Sequence, residues 1–269
     1  MEEKWIVSSR GKTFYWTEEP AAAGSRSLIF LPGLTADHSL FDRQIQYFSG
    51  KYNLLVWDAP AHGKSRPYRD FSYPHLAGEL KAILDAEGIT SAVLIGQSAG
   101  GFVAQSFIAE YPAMAEGMLT IGTCPYGTDC YSKSDLYWLR QTEWMLKLFP
   151  QKMLKQSIAK MCGATDTGRE NMLRMLEGYE KEELCHLMYL GFAGFIPEIR
   201  DLDIPCPVCL VVGERDKTGK VRKYNEQWHR KTGYPLHVIP GASHNANVDR
   251  PEAVNRIIED FVMELERKG

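Results

Sequence analysis

The sequence predicts an α/β protein, a mostly parallel, doubly wound sheet interrupted once by an all-helical insertion. Short apolar runs of strand length alternate with amphipathic stretches of helix length. Several of those runs are apolar at consecutive positions, as strands covered on both faces must be. The alternation halts over residues 125–204, where only helical patterns remain. Strand–helix alternation implies parallel strands joined by crossover helices. The interruption implies an insertion into that series.

Taken in order, Trp5-Ile6-Val7 and Phe14-Tyr15-Trp16 predict a hairpin that turns at Gly11. Strands are expected over 27–31, 52–57, 92–95, 118–121, 208–212 and 236–239. Leu76, Leu80, Ile83 and Leu84 share one helix face ahead of the 92–95 run. At the C-terminal end Val254, Ile257, Ile258, Phe261, Val262 and Leu265 do the same, with Pro251 near the helix start, where proline costs little. Within the insertion, helices are expected over 136–149, 152–161 and 169–179. The insertion also holds six of the ten methionines. Flexible Met side chains fill irregular space, which suits a cap over a pocket and equally a plain helical subdomain. The division that follows is a core of residues 1–124 and 205–269 with a helical cap of 125–204.

Composition narrows the function classes. Net charge is −3, with no basic cluster of the kind that tracks a phosphate backbone, so nucleic acid is not an expected partner. The opening Met1-Glu2-Glu3-Lys4-Trp5 lacks the basic and apolar regions of a signal peptide, and no apolar run approaches the roughly 20 residues that span a bilayer. Six scattered cysteines fit reduced thiols, and a cytoplasmic protein is the expectation. Cys206-Pro207-Val208-Cys209 has CxxC spacing, but it opens an apolar strand and has no second pair at zinc-ligand distance. It reads as strand packing.

The chemistry-bearing pattern is Gly96-Gln97-Ser98-Ala99-Gly100-Gly101, which contains G-x-S-x-G. Alone it is weak. Here it follows the 92–95 strand and precedes the helical run 102–109, the strand–turn–helix setting in which a serine is pushed out above a sheet. A serine hydroxyl needs a base to take its proton. Of seven histidines, His244 lies in a Gly-Ala-Ser loop between the last strand and the last helix, where it can reach the top of the sheet. His38 and His62 sit in earlier loops, His75, His186 and His229 in helical patterns, and His237 in a strand. The base in turn needs a carboxylate to fix its tautomer. Asp216 follows the 208–212 strand, with Glu214 its nearest rival.

With these residues the chain resembles the α/β-hydrolase superfamily, nearly end to end. Leu31-Pro32-Gly33-Leu34 looks like the family's oxyanion loop, with Pro32 where histidine is usual. Asp58-Ala59-Pro60-Ala61-His62-Gly63-Lys64-Ser65 resembles its D-x-P-G-x-G-x-S turn, Gly213-Glu214-Arg215-Asp216 its acid turn, and Gly241-Ala242-Ser243-His244 its histidine loop. The resemblance implies Ser98 as nucleophile, His244 as general base and Asp216 as the orienting acid, in the chain order of this fold. Some members carry the acid one strand earlier; that place here reads Gly122-Thr123-Cys124-Pro125, with no carboxylate before Asp129. The implied oxyanion donors are the backbone N–H groups of Leu34 and Ala99, since Pro32 has none.

The expected activity is hydrolysis of an ester of a small or medium acyl group through an acyl-enzyme, with no cofactor and no metal. The same family holds carbon–carbon bond hydrolases, haloperoxidase-like enzymes, peptidases, acyltransferases and ligand receptors, and Gln97 and Ala99 single out none of them. Related dehalogenases and epoxide hydrolases use an aspartate nucleophile, against which Ser98 argues. Gly63-Lys64-Ser65 lacks the earlier glycine of a phosphate-binding loop, and Gly96–Gly101 lacks dinucleotide spacing. Asp58 and His62 fit a turn better than a metal pair. The pocket is expected between the Leu34 loop, Ser98 and the cap, with Trp138, Trp144, Met145, Tyr189 and Phe192 in its wall.

Overall fold

The computed structural model describes residues 1–19 and 25–268. In chain order the elements are β1 (Glu2–Val7), β2 (Lys12–Glu18), β3 (Ser27–Leu31), α1 (Asp42–Phe48), β4 (Asn53–Trp57), α2 (Tyr73–Ala86), β5 (Ala92–Gln97), α3 (Ala99–Glu110) and β6 (Ala115–Ile121). Five helices follow without a strand: α4 (Lys133–Leu139), α5 (Thr142–Lys147), α6 (Gln151–Cys162), α7 (Asp166–Leu176) and α8 (Lys181–Ala193). The series resumes with β7 (Val208–Gly213), α9 (Val221–Thr232), β8 (Leu236–Ile239), α10 (Ala246–Asp249) and α11 (Pro251–Lys268).

The strands form one eight-stranded sheet in the order β1-β2-β4-β3-β5-β6-β7-β8. The expected hairpin pairs β1 with β2, and β2 joins β4 antiparallel; every other pairing is parallel. The uninterrupted apolar runs have a direct cause. In β3, Leu28 and Phe30 belong to one core and Ile29 and Leu31 to the other; in β7, Cys209 and Val211 alternate with Val208 and Leu210 in the same way. A strand whose side chains alternate between two covered faces must be apolar at every position. On one face α11 contributes Val254, Ile258 and Phe261. On the other, α2 contributes Leu76, Leu80 and Ile83.

Helices α6, α7 and α8 join the first of these cores through Leu154, Ile158, Met172, Met175, Leu184 and Met188. The single helix expected over 136–149 is instead two. The Thr142 hydroxyl donates to the Leu139 carbonyl at 2.8 Å, and the helical ladder breaks at Arg140–Gln141. Cys206 and Cys209 are free and buried, and burial pushes their thiols up to about 11 and about 12. Cys209 lies on β7 and Cys206 two residues before it; such buried, protonated thiols are packing groups.

Candidate active site

Ser98 sits where β5 ends and α3 begins. Its φ of 49° lies in the left-handed region that non-glycine residues rarely adopt. The conformation is held by neighbours: the Ser98 N–H donates to Ile121 O at 2.8 Å, and the Ser98 carbonyl accepts from the Thr123 hydroxyl at 3.0 Å. Such strain persists only where surrounding structure enforces it, and it commonly marks a functional site. Gly100 makes the turn possible, because a Cβ there would lie 1.9 Å from Leu31 O. The result is a half-buried hydroxyl above the N-terminus of a 12-residue helix, where developing negative charge is favoured.

Two further loops converge on it. His244 Nε2 lies 2.9 Å from Ser98 Oγ, and His244 Nδ1 lies 2.8 Å from Asp216 Oδ2. An ionised carboxylate only accepts, so Nδ1 carries the proton and Nε2 is left to accept from the serine hydroxyl. The Thr218 N–H donates to the other Asp216 oxygen at 2.8 Å. Burial pushes the Asp216 carboxyl up, but the facing His244 and the hydrogen bonds from His244 and Thr218 outweigh it and hold the group below its ordinary value of 3.8. Asp216 stays charged. Glu214 turns away, accepting the Gly241 N–H at 2.8 Å, while Asp129 pairs with Lys231 at 3.2 Å.

The Leu34 loop lies alongside. A Cβ on Gly33 would stand 3.1 Å from the Ser98 Cβ, so only glycine lets this loop approach so closely. Thr35 has φ 63°, and its hydroxyl donates to the Leu34 carbonyl at 2.6 Å. Among the described residues the N–H groups of Leu34 and Ala99 have no acceptor. The loop is anchored by buried Asp58, which accepts from the His38 N–H and ring at 2.8 Å each and from the Lys64 N–H at 2.7 Å; the His38 ring stacks on Trp16. Asp58 and His62 are turn residues, the latter donating from Nδ1 to Pro60 O at 2.9 Å. No group of three metal-ligating side chains occurs among the described residues.

A cavity of about 40 Å³ opens beside Ser98. Its apolar wall is Leu34, Ile158, Met161, Met172, Met188 and Phe192, and Thr35, Gln97, Thr218 and Asn245 supply polar groups. One water occupies about 10–15 Å³ by this measure, so the cavity holds roughly three groups of that size. Larger open grooves, such as one of about 510 Å³ beside β8 and α11, share no residue with the Ser98 cluster. Of the five side chains expected in the wall, Phe192 alone lines it. Trp138, Trp144 and Met145 are exposed on α4 and α5, helices that bury no residue, and Tyr189 lies on α8 outside the lining. The methionines of α6, α7 and α8 take the place expected for aromatic residues.

One tie to the His244 loop was not expected from the sequence. The buried Asp249 carboxylate accepts from the Ser243 N–H at 2.8 Å, the Ala164 N–H at 2.9 Å, the Thr165 N–H at 2.9 Å and the Thr165 hydroxyl at 2.7 Å. It thus ties the turn between α6 and α7 to the residue before His244. Ser243 Oγ to Met161 O at 2.7 Å and Asn245 N to Cys162 O at 2.8 Å reinforce the same seam. Gln97 also reaches this loop, donating to Asn245 Oδ1 at 3.1 Å.

Residues 28–257 match the alpha/beta hydrolase family. The chain is 27% identical over 254 residues to serine hydrolase BPHL of Mus musculus, an alignment spanning 89% of this chain and 80% of that protein. It is 25% identical over 262 residues to epoxide hydrolase 3 of Xenopus tropicalis, spanning 88% and 71%. Among solved structures, a thermophilic esterase from Thermogutta terrifontis superposes with a TM-score of 0.78 at 18% identity, over 98% of this chain and 99% of that one, a likeness of fold.

Proposed function

The chain belongs to the alpha/beta hydrolase family, and we propose that within it the protein is a serine carboxylesterase acting on small neutral esters through an acyl-enzyme intermediate. The observation that carries this reading is the unbroken hydrogen-bonded chain from Ser98 Oγ through His244 to a charged, buried Asp216. Ser98 attacks the ester carbonyl as His244 Nε2 takes its proton. Asp216 holds the imidazole in the accepting tautomer and stabilises the imidazolium that forms. The free N–H groups of Leu34 and Ala99 receive the carbonyl oxygen as it becomes negative, each contributing about 3 kcal/mol to the transition state. His244 then returns the proton to the leaving alkoxide, and a water activated by the same nitrogen releases the acid.

The cap of residues 125–204 contributes the specificity. Ile158, Met161, Met172 and Met188 close an apolar space of about 40 Å³, and His244 is the only titratable lining side chain apart from Cys162, whose thiol burial pushes up to about 12. That wall selects a short, uncharged acyl group over a long or carboxylate-bearing one. The test is a p-nitrophenyl ester series from acetyl to octanoyl, followed from the first turnover. The reading predicts a nitrophenol burst equal to the enzyme concentration, highest kcat/KM for the shortest esters, and loss of both with Ser98→Ala. Poor ester turnover alongside efficient cleavage of a vinylogous diketone would replace it with carbon–carbon bond hydrolysis.

A further inference from the structure

Gln97, the residue before the nucleophile, is a buried polar side chain with no part in the steps above. It ends β5, is 2% exposed and lines the Ser98 cavity. Its Nε2 donates to the His244 carbonyl at 3.4 Å and to Asn245 Oδ1 at 3.1 Å. A backbone carbonyl only accepts, so the amide cannot be turned round and its other end is fixed as an acceptor. That acceptor, Oε1, lies against the oxyanion loop: a Cβ on Gly33 would come within 2.0 Å of it and within 3.1 Å of the Ser98 Cβ. Among the described residues no donor meets Oε1.

A buried amide oxygen without a donor is costly. Solvent can meet it in the free protein. An alkyl acyl group that displaces the solvent leaves it unpaired, whereas an acyl group carrying its own donor pairs it. The wall cannot supply that donor from Thr35 or Asn245. The Thr35 hydroxyl is committed to the Leu34 carbonyl at 2.6 Å, and Asn245 Nδ2 faces the Met172 sulfur at 3.8 Å. Size and charge then select the donor. A space of about 40 Å³ holds roughly three groups the size of a water, which admits a hydroxymethyl or 1-hydroxyethyl group on the ester carbonyl and little more. An ammonium in the same place needs a carboxylate partner, and both carboxylates of the site are engaged. Asp216 accepts from His244 and Thr218, and Asp249 from Ser243, Ala164 and Thr165.

We propose that Gln97 is a specificity-determining residue and that the preferred substrates are esters of short 2-hydroxy acids, whose acyl hydroxyl donates to Gln97 Oε1 as Ser98 attacks. The proposal rests on the ester reading above and narrows its acyl group. The acceptor is a fixed point. Asn245, which holds the Gln97 amide, is itself tied to the cap by its N–H to Cys162 O at 2.8 Å, so Oε1 cannot swing away from a group that fails to pair it.

The test is hydrolysis of ethyl glycolate, ethyl fluoroacetate and ethyl propionate, followed by pH-stat, with wild type and Gln97→Met. Propionate replaces the hydroxyl by a methyl group of similar size. Fluoroacetate keeps the electron withdrawal and removes the donor. Wild type is expected to favour glycolate over each of the others by at least about tenfold in kcat/KM, and Gln97→Met to lose about tenfold in the ratio of glycolate to fluoroacetate. A loosened histidine loop in the variant slows all three esters together and leaves that ratio alone, so the ratio reads the hydrogen bond. The wild-type comparison decides by itself if Gln97→Met does not fold. Fluoroacetate or propionate turned over as fast as glycolate overturns the proposal and leaves the ester reading standing, as does an unchanged ratio in folded Gln97→Met. Ethyl glycinate turned over faster than ethyl glycolate overturns it in favour of an ammonium. No turnover of any ester, with no nitrophenol burst, removes the ester reading and this proposal with it.

Discussion

The seam between cap and histidine loop gives the sharpest mutational expectation. Asp249→Asn changes a carboxylate that accepts from four donors into an amide with one oxygen and an NH₂ group. The surviving oxygen loses its charge, which lowers each hydrogen bond by about 1 kcal/mol. The NH₂ group turns donors toward donors and leaves at least one buried N–H unsatisfied, at about 1–3 kcal/mol. Allowing for relaxation, the net loss is about 3 kcal/mol, or roughly 8 °C in melting temperature for a chain of this size. The kinetic effect has a separate origin. Ser243 N–H is released next to His244, and a displacement of about 1 Å at a reacting group costs on the order of 100-fold in rate. The assay is thermal melting together with p-nitrophenyl acetate kinetics, and the expected signature is a fall in kcat with KM little changed. Thr165→Val keeps the charge but removes a hydroxyl that both donates to Asp249 and caps α7 by accepting the Gly168 N–H; it serves as the comparison and costs about 2 kcal/mol with kcat within about threefold. A variant that melts lower but keeps wild-type kcat would refute the positioning role of Asp249.

Four further expectations follow from the same geometry. Asp216→Asn preserves shape but favours the wrong imidazole tautomer, and kcat falls by about 10⁴-fold in the ester assay. Asp216 is held below 3.8, so its contribution to stability is complete above that value and is lost as pH falls through its lower folded value. Acid melting curves of the Asn variant therefore lack that component. For His38 the sign reverses. Burial lowers its pKa, but Asp58 and the nearby Asp37 and Asp42 raise it further, to a net value above 6.5; the contribution is complete below pH 6.5 and lost as pH rises through the folded value. The melting gap between wild type and His38→Gln should narrow above pH 6.5. Met161→Ala, at a cavity-wall residue that is partly exposed, should move the preferred acyl chain longer by one or two carbons in the p-nitrophenyl series at little cost in melting temperature. Gly100→Ala drives a methyl into the Leu31 carbonyl and should leave little folded protein by circular dichroism.

How much of this the sequence disclosed depended on how local each signal was. The limits of β3 match the expected run because a strand covered on both faces writes its burial into consecutive residues; those of β8 match as well, although this edge strand leaves His237 and Val238 exposed. The Ser98, Asp216 and His244 loops were legible because each is a short turn with its own glycines, placed directly after a strand. Trp138, Trp144 and Met145 went astray for a definite reason. Helical spacing shows which side chains share a face, yet not whether that face turns inward, and on α4 and α5 it turns out. Asp249 left no signal at all, since its partners in the cap lie 84 and 85 residues away and only the folded chain brings them together. The anchoring of the Leu34 loop by Asp58 through His38 was hidden in the same way, across 20 residues.

The central claim is that Ser98 is activated by the chain running through His244 to Asp216. Incubation with a fluorophosphonate probe, followed by mass spectrometry of the digested protein, tests it most directly. The account predicts a single adduct on Ser98, none in Ser98→Ala, and labelling slowed by orders of magnitude in His244→Ala. An intact wild-type protein that takes no label, or takes it equally with Ser98 replaced, would contradict it.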